Sequence, residues 1–171
     1  SAYFDVAHDV ARPFRVGVAD RHVIVTGTRF VTSLTGDAAE VSLLQGRIVI
    51  GRGDVRQKGA LVDGLVMKPG ERAVFRSGEP DIRKASADVE TATAWRDHKL
   101  VFRDAPLSAV IAAVARYSDA PLVAADPELN EIRVTAILPL EGEGSLSERM
   151  AALLPVRAER ASDGHILIRA E

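Results

Sequence analysis

The feature that most constrains this chain is a change in the spacing of its apolar residues near residue 95. From Phe14 to Phe75, apolar and polar residues alternate with a period of two, which is typical of half-buried β-strands. Turn-forming residues interrupt this alternation at close intervals, at Ala19-Asp20, Thr35-Gly36-Asp37, Gln45-Gly46, Asp63-Gly64 and Pro69-Gly70. Short strands joined by tight turns are typical of a β-roll or β-sandwich. We therefore predict an all-β domain over residues 1–76.

The apolar spacing becomes helical after Trp95. Five apolar positions fall on one helical face: Leu107, Val110, Ile111, Val114 and Tyr117. Asp104, just before them, is a residue type that caps helices, and we predict that it caps this one. Ser145-Leu146-Ser147-Glu148 has the sequence of a capping box, so it predicts a second helix that ends before Pro155.

The remaining segments of the second half read as strands. Leu100 to Phe102, Pro121 to Val123 and Ile132 to Ile137 are rich in β-forming residues, and a turn at Asp163-Gly164 predicts a C-terminal hairpin. The resulting order predicts a small α+β domain of split βαβ type over residues 96–171, with two helices covering one face of a small sheet. We interpret residues 77–95 as a linker that contains a short helix.

Composition excludes several classes of function. The 22 basic and 24 acidic residues are mixed along the chain, so no basic stripe is present to bind nucleic acid. There is no cysteine, and His98 and His165 are isolated, so we expect neither a metal site nor a cofactor. No apolar run approaches the ~20 residues of a membrane span, so we expect no direct membrane contact from this part of the protein. No turnover enzyme is indicated.

The dipeptide Gly27-Thr28, within the β region, is a candidate site of peptide-bond chemistry. Gly27 interrupts a β-branched run, and a glycine in a strand commonly marks a bend or a close backbone approach. The hydroxyl of Thr28 is adjacent to the Gly27 carbonyl, so a distorted peptide here could be attacked by its own side chain. His22 shares a strand face with Thr28 but is about 20 Å away in an extended strand. His8, on another segment, is our candidate base, and Arg12 or backbone N–H groups are candidate oxyanion donors.

Short motifs along the chain resemble a known family. They are Phe4-Asp5-Val6-Ala7-His8-Asp9, Arg12-Pro13-Phe14-Arg15-Val16, Gly27-Thr28-Arg29-Phe30, Gly46-Arg47-Ile48 and Pro69-Gly70-Glu71. These motifs resemble the periplasmic region of the FecR family, the transmembrane anti-sigma factors of cell-surface signalling. From Trp95 to the final hairpin, the chain is similar to the small secretin and TonB N-terminal (STN) type of domain.

The resemblance implies a signalling role and a place in the cell. It implies a periplasmic fragment of a single-pass inner-membrane protein, in which a segment outside this chain binds a cytosolic ECF sigma factor. The periplasmic region would bind the signalling domain of a TonB-dependent outer-membrane transporter involved in iron or siderophore uptake. The resemblance also implies self-cleavage between Gly27 and Thr28 through an N-to-O acyl shift.

Partner binding is expected at a sheet edge, because backbone pairing gives affinity with few demands on sequence. We predict that the terminal strand Ile166-Leu167-Ile168-Arg169 is that edge, with Ile132 to Ile137 as the alternative. Trp95 is expected either to pack at the domain junction or to anchor a partner. The alternative is that the chain is a structural module of the cell envelope, secretin-like or carbohydrate-associated. Such a module would associate with copies of itself and stay uncut.

Overall fold

The computed structural model describes residues 1–52 and 64–170, and the chain divides into two compact units. Unit 1 is Ser1–Thr93 and unit 2 is Ala94–Glu171. Unit 1 is built almost wholly from strands, whereas unit 2 combines short strands with helices. The predicted fold class, an all-β part followed by a small α+β part, is confirmed. The turn predicted at Asp63-Gly64 lies partly outside the described residues.

Unit 1 contains two antiparallel sheets. Its strands are β1 (Ala2–Val6), β2 (Phe14–Val18), β3 (Arg21–Val25), β4 (Thr28–Thr35), β5 (Ala38–Gln45), β6 (Ile48–Gly51), β7 (Leu65–Met67), β8 (Glu71–Arg76) and β9 (Ile82–Ser86). The five-stranded sheet has the order β1-β4-β5-β8-β9, and the four-stranded sheet has the order β2-β3-β6-β7. Alternate side chains of both sheets form one apolar core, which includes the fully buried Val23, Phe30, Leu43 and Ile50.

The turns predicted within the described residues of unit 1 lie between its strands. Gly36 and Gly46, both at positive φ, follow β4 and β5, and Gly70 precedes β8. The predicted linker needs correction, because Ile82–Ser86 is strand β9 and pairs with β8 across five residue pairs. The helix predicted within that segment is present as α1 (Val89–Thr93).

Unit 2 contains two small sheets instead of the single sheet that the sequence predicts. Its strands are β10 (Lys99–Pro106), β11 (Leu122–Ala124), β12 (Arg133–Pro139), β13 (Val156–Arg160) and β14 (Ile166–Ala170). Strands β10 and β12 form an antiparallel pair, and the other three have the order β11-β14-β13. The predicted C-terminal hairpin is the antiparallel pair β13 and β14.

Helices α2 (Leu107–Ala115) and α3 (Leu146–Leu153) pack on the core of unit 2. The predicted apolar face of α2 is buried at Leu107, Val110, Ile111 and Val114. The capping box of α3 is also present: Ser145 Oγ accepts from Glu148 N at 3.3 Å, and Glu148 Oε2 accepts from Ser145 N at 2.7 Å. Reciprocal bonds of this kind fix where a helix begins.

Two predictions about α2 are wrong. Asp104 does not cap the helix; it lies in β10 at φ 47°, within a bulge between Phe102 and Ala105, and the N-cap residue is Pro106. Tyr117 does not lie on the buried face of α2, because the helix ends two residues earlier and the residue is 40% exposed. A bulge adds a residue to a strand, so it changes the point at which the following helix can begin.

The predicted binding edge at the C-terminus is also wrong. Ile166, Leu167 and Ile168 pair with β11 on one side and with β13 on the other, and Arg169 pairs with Arg157. Strand β14 is therefore central in its sheet and offers no free edge over Ile166–Ile168. The alternative segment fits better, because within the described residues β12 pairs with β10 alone.

Candidate functional site

Gly27 lies at the point where the chain passes from one sheet of unit 1 to the other. Strand β3 belongs to the four-stranded sheet and β4 to the five-stranded sheet, and only Thr26 and Gly27 separate them. Gly27 has φ 148°, a conformation that residues with a side chain rarely adopt. The Gly27-Thr28 peptide therefore occupies the bend itself, between two strands, and not the interior of one strand as the sequence pattern indicates.

His8 lies directly against Gly27. A Cβ atom placed on Gly27 would be 2.6 Å from His8 Nδ1 and 2.7 Å from His8 Cα, so only glycine fits here. The next residue, Asp9, donates its backbone N–H to the carbonyl of Thr26 at 2.7 Å. The loop after β1 is thus held on the bend, and the structure brings the predicted base together with the Gly27-Thr28 peptide.

Asp9 organises this loop. Its Oδ1 accepts from the backbone N–H of Ala11 at 2.9 Å and of Arg12 at 3.1 Å, and its Oδ2 accepts from Arg12 Nε at 2.7 Å. These bonds, led by the Arg12 side chain, lower the pKa of the Asp9 carboxyl below its ordinary value. The carboxylate therefore stays charged at neutral pH and holds the turn that carries His8.

Arg12 does not occupy the position expected of an oxyanion donor. Its side chain is 88% exposed and bonds to Asp9, and it is not among the residues that line the cleft at Gly27. Its observed contact, with the Asp9 carboxylate, stabilises the loop. His22, on β3, lies opposite Gly17 and Gly51 and does not line the cleft either.

Thr28 is buried, although the cleft beside it is open to solvent. Only 3% of the residue is exposed, and its Oγ1 donates to the carbonyl of Arg47 at 3.0 Å. Threonine oxygens that are buried need such a partner, because an unpaired buried hydroxyl is costly. This bond fixes the rotation of the hydroxyl beside the Gly27-Thr28 peptide, and the sequence gives no signal for it.

The cleft has a volume of about 190 Å³ and is lined by charged and polar groups. Asp5 and Arg29 lie opposite each other on β1 and β4, with Arg29 Nε 3.1 Å from Asp5 Oδ2. Gln45 also lines the cleft and lies at a bulge. Arg29 pairs with Gln45, whereas the next residue, Phe30, pairs with Leu43, so one residue of β5 is left unpaired. The extra residue of a bulge increases local twist, and such bulges often occur next to functional sites.

A second candidate surface is the free edge of β12 in unit 2. Leu140 N donates to His98 O just beyond the strand, and hydrogen-bonded positions alternate in an antiparallel pair. Leu138 and Ala136 therefore face β10 with their N–H groups, whereas the N–H of Ile137 faces away. Ile137 is also 56% exposed. Trp95, in a short 3-10 helix, packs against the core of unit 2.

Neither a metal site nor a membrane-spanning helix is found in the described part of the chain. Within residues 1–52 and 64–170, no three His, Asp or Glu side chains are grouped closely enough to hold a metal ion. No helix in those ranges is both long enough and apolar enough to cross a membrane.

The fold of the chain is similar to that of two solved structures. Both are crystal structures of a candidate anti-sigma factor from Parabacteroides distasonis ATCC 8503. The first has a TM-score of 0.74 and the second 0.72, each at 20% sequence identity, covering 99% of this chain and 76% of that one. At this identity the likeness establishes the fold of both units. No family model matches the chain, and no curated protein matches its sequence.

Proposed function

We propose that this chain is the periplasmic signal-receiving region of a transmembrane anti-sigma factor of FecR type. The observation that carries the proposal is the similarity of fold over 99% of the chain to a candidate anti-sigma factor. The sequence motifs around Gly27 and Gly46 support it independently, since they resemble that family. In this proposal, a segment outside this chain regulates an ECF sigma factor in the cytosol.

The partner that we propose is the signalling domain of a TonB-dependent outer-membrane transporter. The free edge of β12 supports this proposal, because its outward backbone groups can pair with a strand of another domain. The exposed Ile137 side chain adds apolar area at the same edge. Pro139, at the end of β12, has no N–H, which limits pairing beyond that point.

The binding proposal is tested with the purified chain and a panel of purified transporter signalling domains. Calorimetry measures heterotypic binding, and light scattering after gel filtration measures self-association. The proposal predicts that one signalling domain binds while the chain alone remains monomeric. Self-association without binding to any signalling domain contradicts it and favours a scaffold module of the envelope.

We also propose that the chain cleaves itself once, between Gly27 and Thr28. Thr28 Oγ1 attacks the Gly27 carbonyl carbon, the C–N bond breaks, and the hydroxyl proton passes through His8 to the Thr28 nitrogen. The product is an ester with a free Thr28 amine. Water then hydrolyses the ester, leaving a carboxylate on Gly27 and restoring the Thr28 hydroxyl.

Three observations support this chemistry. Gly27 has a backbone conformation that favours glycine, Thr28 is buried with its hydroxyl oriented, and His8 lies against Gly27. A nucleophile held beside its target in one orientation reacts much faster than a free one. Hydroxylamine tests the ester, since it cleaves esters at neutral pH and leaves ordinary amides intact. Faster appearance of the two fragments is expected, and an unchanged rate argues against an accumulating ester.

A further inference from the structure

Gly46 is in contact with both reacting groups of the proposed cleavage. It follows β5 in the corner before β6, at φ 92°. A Cβ atom placed on Gly46 would lie 2.6 Å from the Gly27 carbonyl oxygen and 2.9 Å from Thr28 Oγ1. It would also lie 3.1 Å from Thr28 Cα. Position 46 therefore lies so close to the Gly27 carbonyl oxygen and the Thr28 hydroxyl that there is no room for a side chain.

We infer that Gly46 is a positioning residue for cleavage at Gly27-Thr28, and this inference rests on the proposed self-cleavage. Gly46 makes no covalent contribution to the reaction. Its role is to let the β5–β6 corner approach the peptide closely enough for the next residue, Arg47, to accept the Thr28 hydroxyl hydrogen bond at 3.0 Å. This hydrogen bond holds Thr28 Oγ1 in one position beside the Gly27 carbonyl until His8, the proposed base, takes the proton.

A second close contact also restricts this peptide. His8 packs on Gly27 at a distance that excludes a Cβ atom there, and the Asp9 N–H bonds the His8 loop to the Thr26 carbonyl. The peptide is thus in close contact with both the His8 loop and the Gly46 corner. Two contacts that both require glycine leave little freedom for the peptide to move away from the hydroxyl.

The other glycines of unit 1 make a matched comparison available. Gly70 has φ 80°, close to the value at Gly46, yet a Cβ atom there would meet nothing within 4 Å. A side chain at position 70 therefore incurs the cost of the backbone conformation alone. A side chain at position 46 incurs that cost and also displaces the reacting groups. The difference between the two substitutions isolates the contact with Gly27 and Thr28.

The test compares Gly46→Ala with Gly70→Ala in the full chain, using intact mass to follow fragments 1–27 and 28–171. We expect Gly46→Ala to slow cleavage about 100-fold, since small displacements of reacting groups have effects of that size. Gly70→Ala is expected to cleave at the wild-type rate. Gly46→Asn and Gly70→Asn form a second pair, because asparagine tolerates positive φ better than alanine.

Hydroxylamine provides a readout that general destabilisation does not change. If Gly46 positions the first step, the Gly46 variants hold far less ester than the wild type. Hydroxylamine then releases correspondingly fewer fragments from variant chains that thermal melting shows to be folded. Wild-type cleavage in a folded Gly46→Ala or Gly46→Asn chain overturns the inference and leaves self-cleavage standing. An uncut wild-type chain overturns both.

Discussion

The two units of this protein differ in where they bury polar groups. Among the described residues, unit 1 buries Arg21, Thr28, Thr32 and Ser42, whereas unit 2 buries only Ser147. A buried polar group needs a specific partner and so fixes the local geometry. In unit 1, the Thr28 partner is a backbone carbonyl beside a bend that requires glycine. The cleavage that we propose would therefore take place in unit 1, at a bend whose geometry is fixed by such a bond.

Unit 2 has the sheet edge to which we assign partner binding. Its two-stranded sheet leaves the backbone of β12 unpaired on one side in the described structure, and an exposed isoleucine lies in the middle of that strand. Edge strands recognise partners through their backbone, which needs few particular side chains. In the proposed function, the reactive bond and the binding edge therefore lie in different compact units of one chain.

The largest expected effect is the loss of cleavage on removing the Thr28 hydroxyl. We expect Thr28→Ala to slow cleavage by more than about 1,000-fold, because the attacking group is gone. Thr32→Ala is the matched control, since Thr32 is a buried threonine on the same strand. Fragments are measured by intact mass. Cutting of Thr28→Ala at the same bond would contradict the mechanism.

The next largest effect concerns the centre of the three-stranded sheet in unit 2. Leu167 pairs with Val123 on one side and Glu159 on the other, so proline there disrupts a strand that is bonded on both sides. We expect Leu167→Pro to lower the unfolding temperature of unit 2 by about 10 °C or more. Differential scanning calorimetry measures it, and cleavage in unit 1 should continue. A variant with wild-type stability would mean that β14 is not central.

A smaller effect is expected at the edge of β12. Ile137→Pro removes an N–H that faces away from β10, so unit 2 should stay folded while binding of a signalling domain weakens by at least about 10-fold. Ile137→Val keeps the backbone donor and a similar side chain, and it should bind as the wild type does. Calorimetric titration measures both affinities. Equal affinities for the proline and valine variants would exclude pairing at this edge.

The smallest expected effect concerns the loop that carries His8. Asp9→Asn keeps an oxygen for the N–H groups of Ala11 and Arg12 but loses the ion pair, and Asp9→Ala loses both. We expect cleavage to slow a few-fold in the alanine variant and less in the asparagine variant. Asp163→Ala, which removes the turn bond to His165 N in unit 2, is the control and should leave the cleavage rate unchanged.

The pH dependence of the same loop follows from the sign of the Asp9 shift. The folded-state pKa of Asp9 is lowered, chiefly by the bond from Arg12. The stabilisation of the loop by the Asp9 carboxylate is therefore complete above the ordinary aspartate pKa of about 3.9. That contribution is lost only as the pH falls through the lower, folded-state value. Wild type and Asp9→Ala should therefore still differ in cleavage rate throughout the range from pH 5 to pH 8. If the difference disappears within that range, Asp9 does not act through its charged carboxylate.

Local patterns predicted the elements of this fold well. The turn at Gln45-Gly46, the buried face of α2 and the capping box at Ser145 all depend on residues within a few positions of one another. Asp104 was assigned wrongly because a bulge in β10, which depends on pairing with β12, moves the start of α2. Short-range signals carry no information about such pairing.

Long-range pairing also limited what the sequence could say about the sites. The terminal strand was predicted to be an edge because nothing in its residues shows that β11, more than 40 positions earlier, pairs with it. The residue types of Gly27 and Thr28 alone suggest chemistry at this peptide, whereas His8 is only a candidate base on another segment until the structure places it against Gly27. The contact of Gly46 with them depends on the passage of the chain between two sheets, which only the structure shows.

The most direct test of the account is the intact mass of the wild-type protein, taken immediately after purification and again after incubation at neutral pH. The account predicts two species that accumulate together, residues 1–27 ending in a free carboxylate and residues 28–171 beginning with a free Thr28 amine. The Thr28→Ala chain treated identically should keep a single mass near 18.3 kDa. A wild-type chain that also keeps this single mass would contradict the central claim.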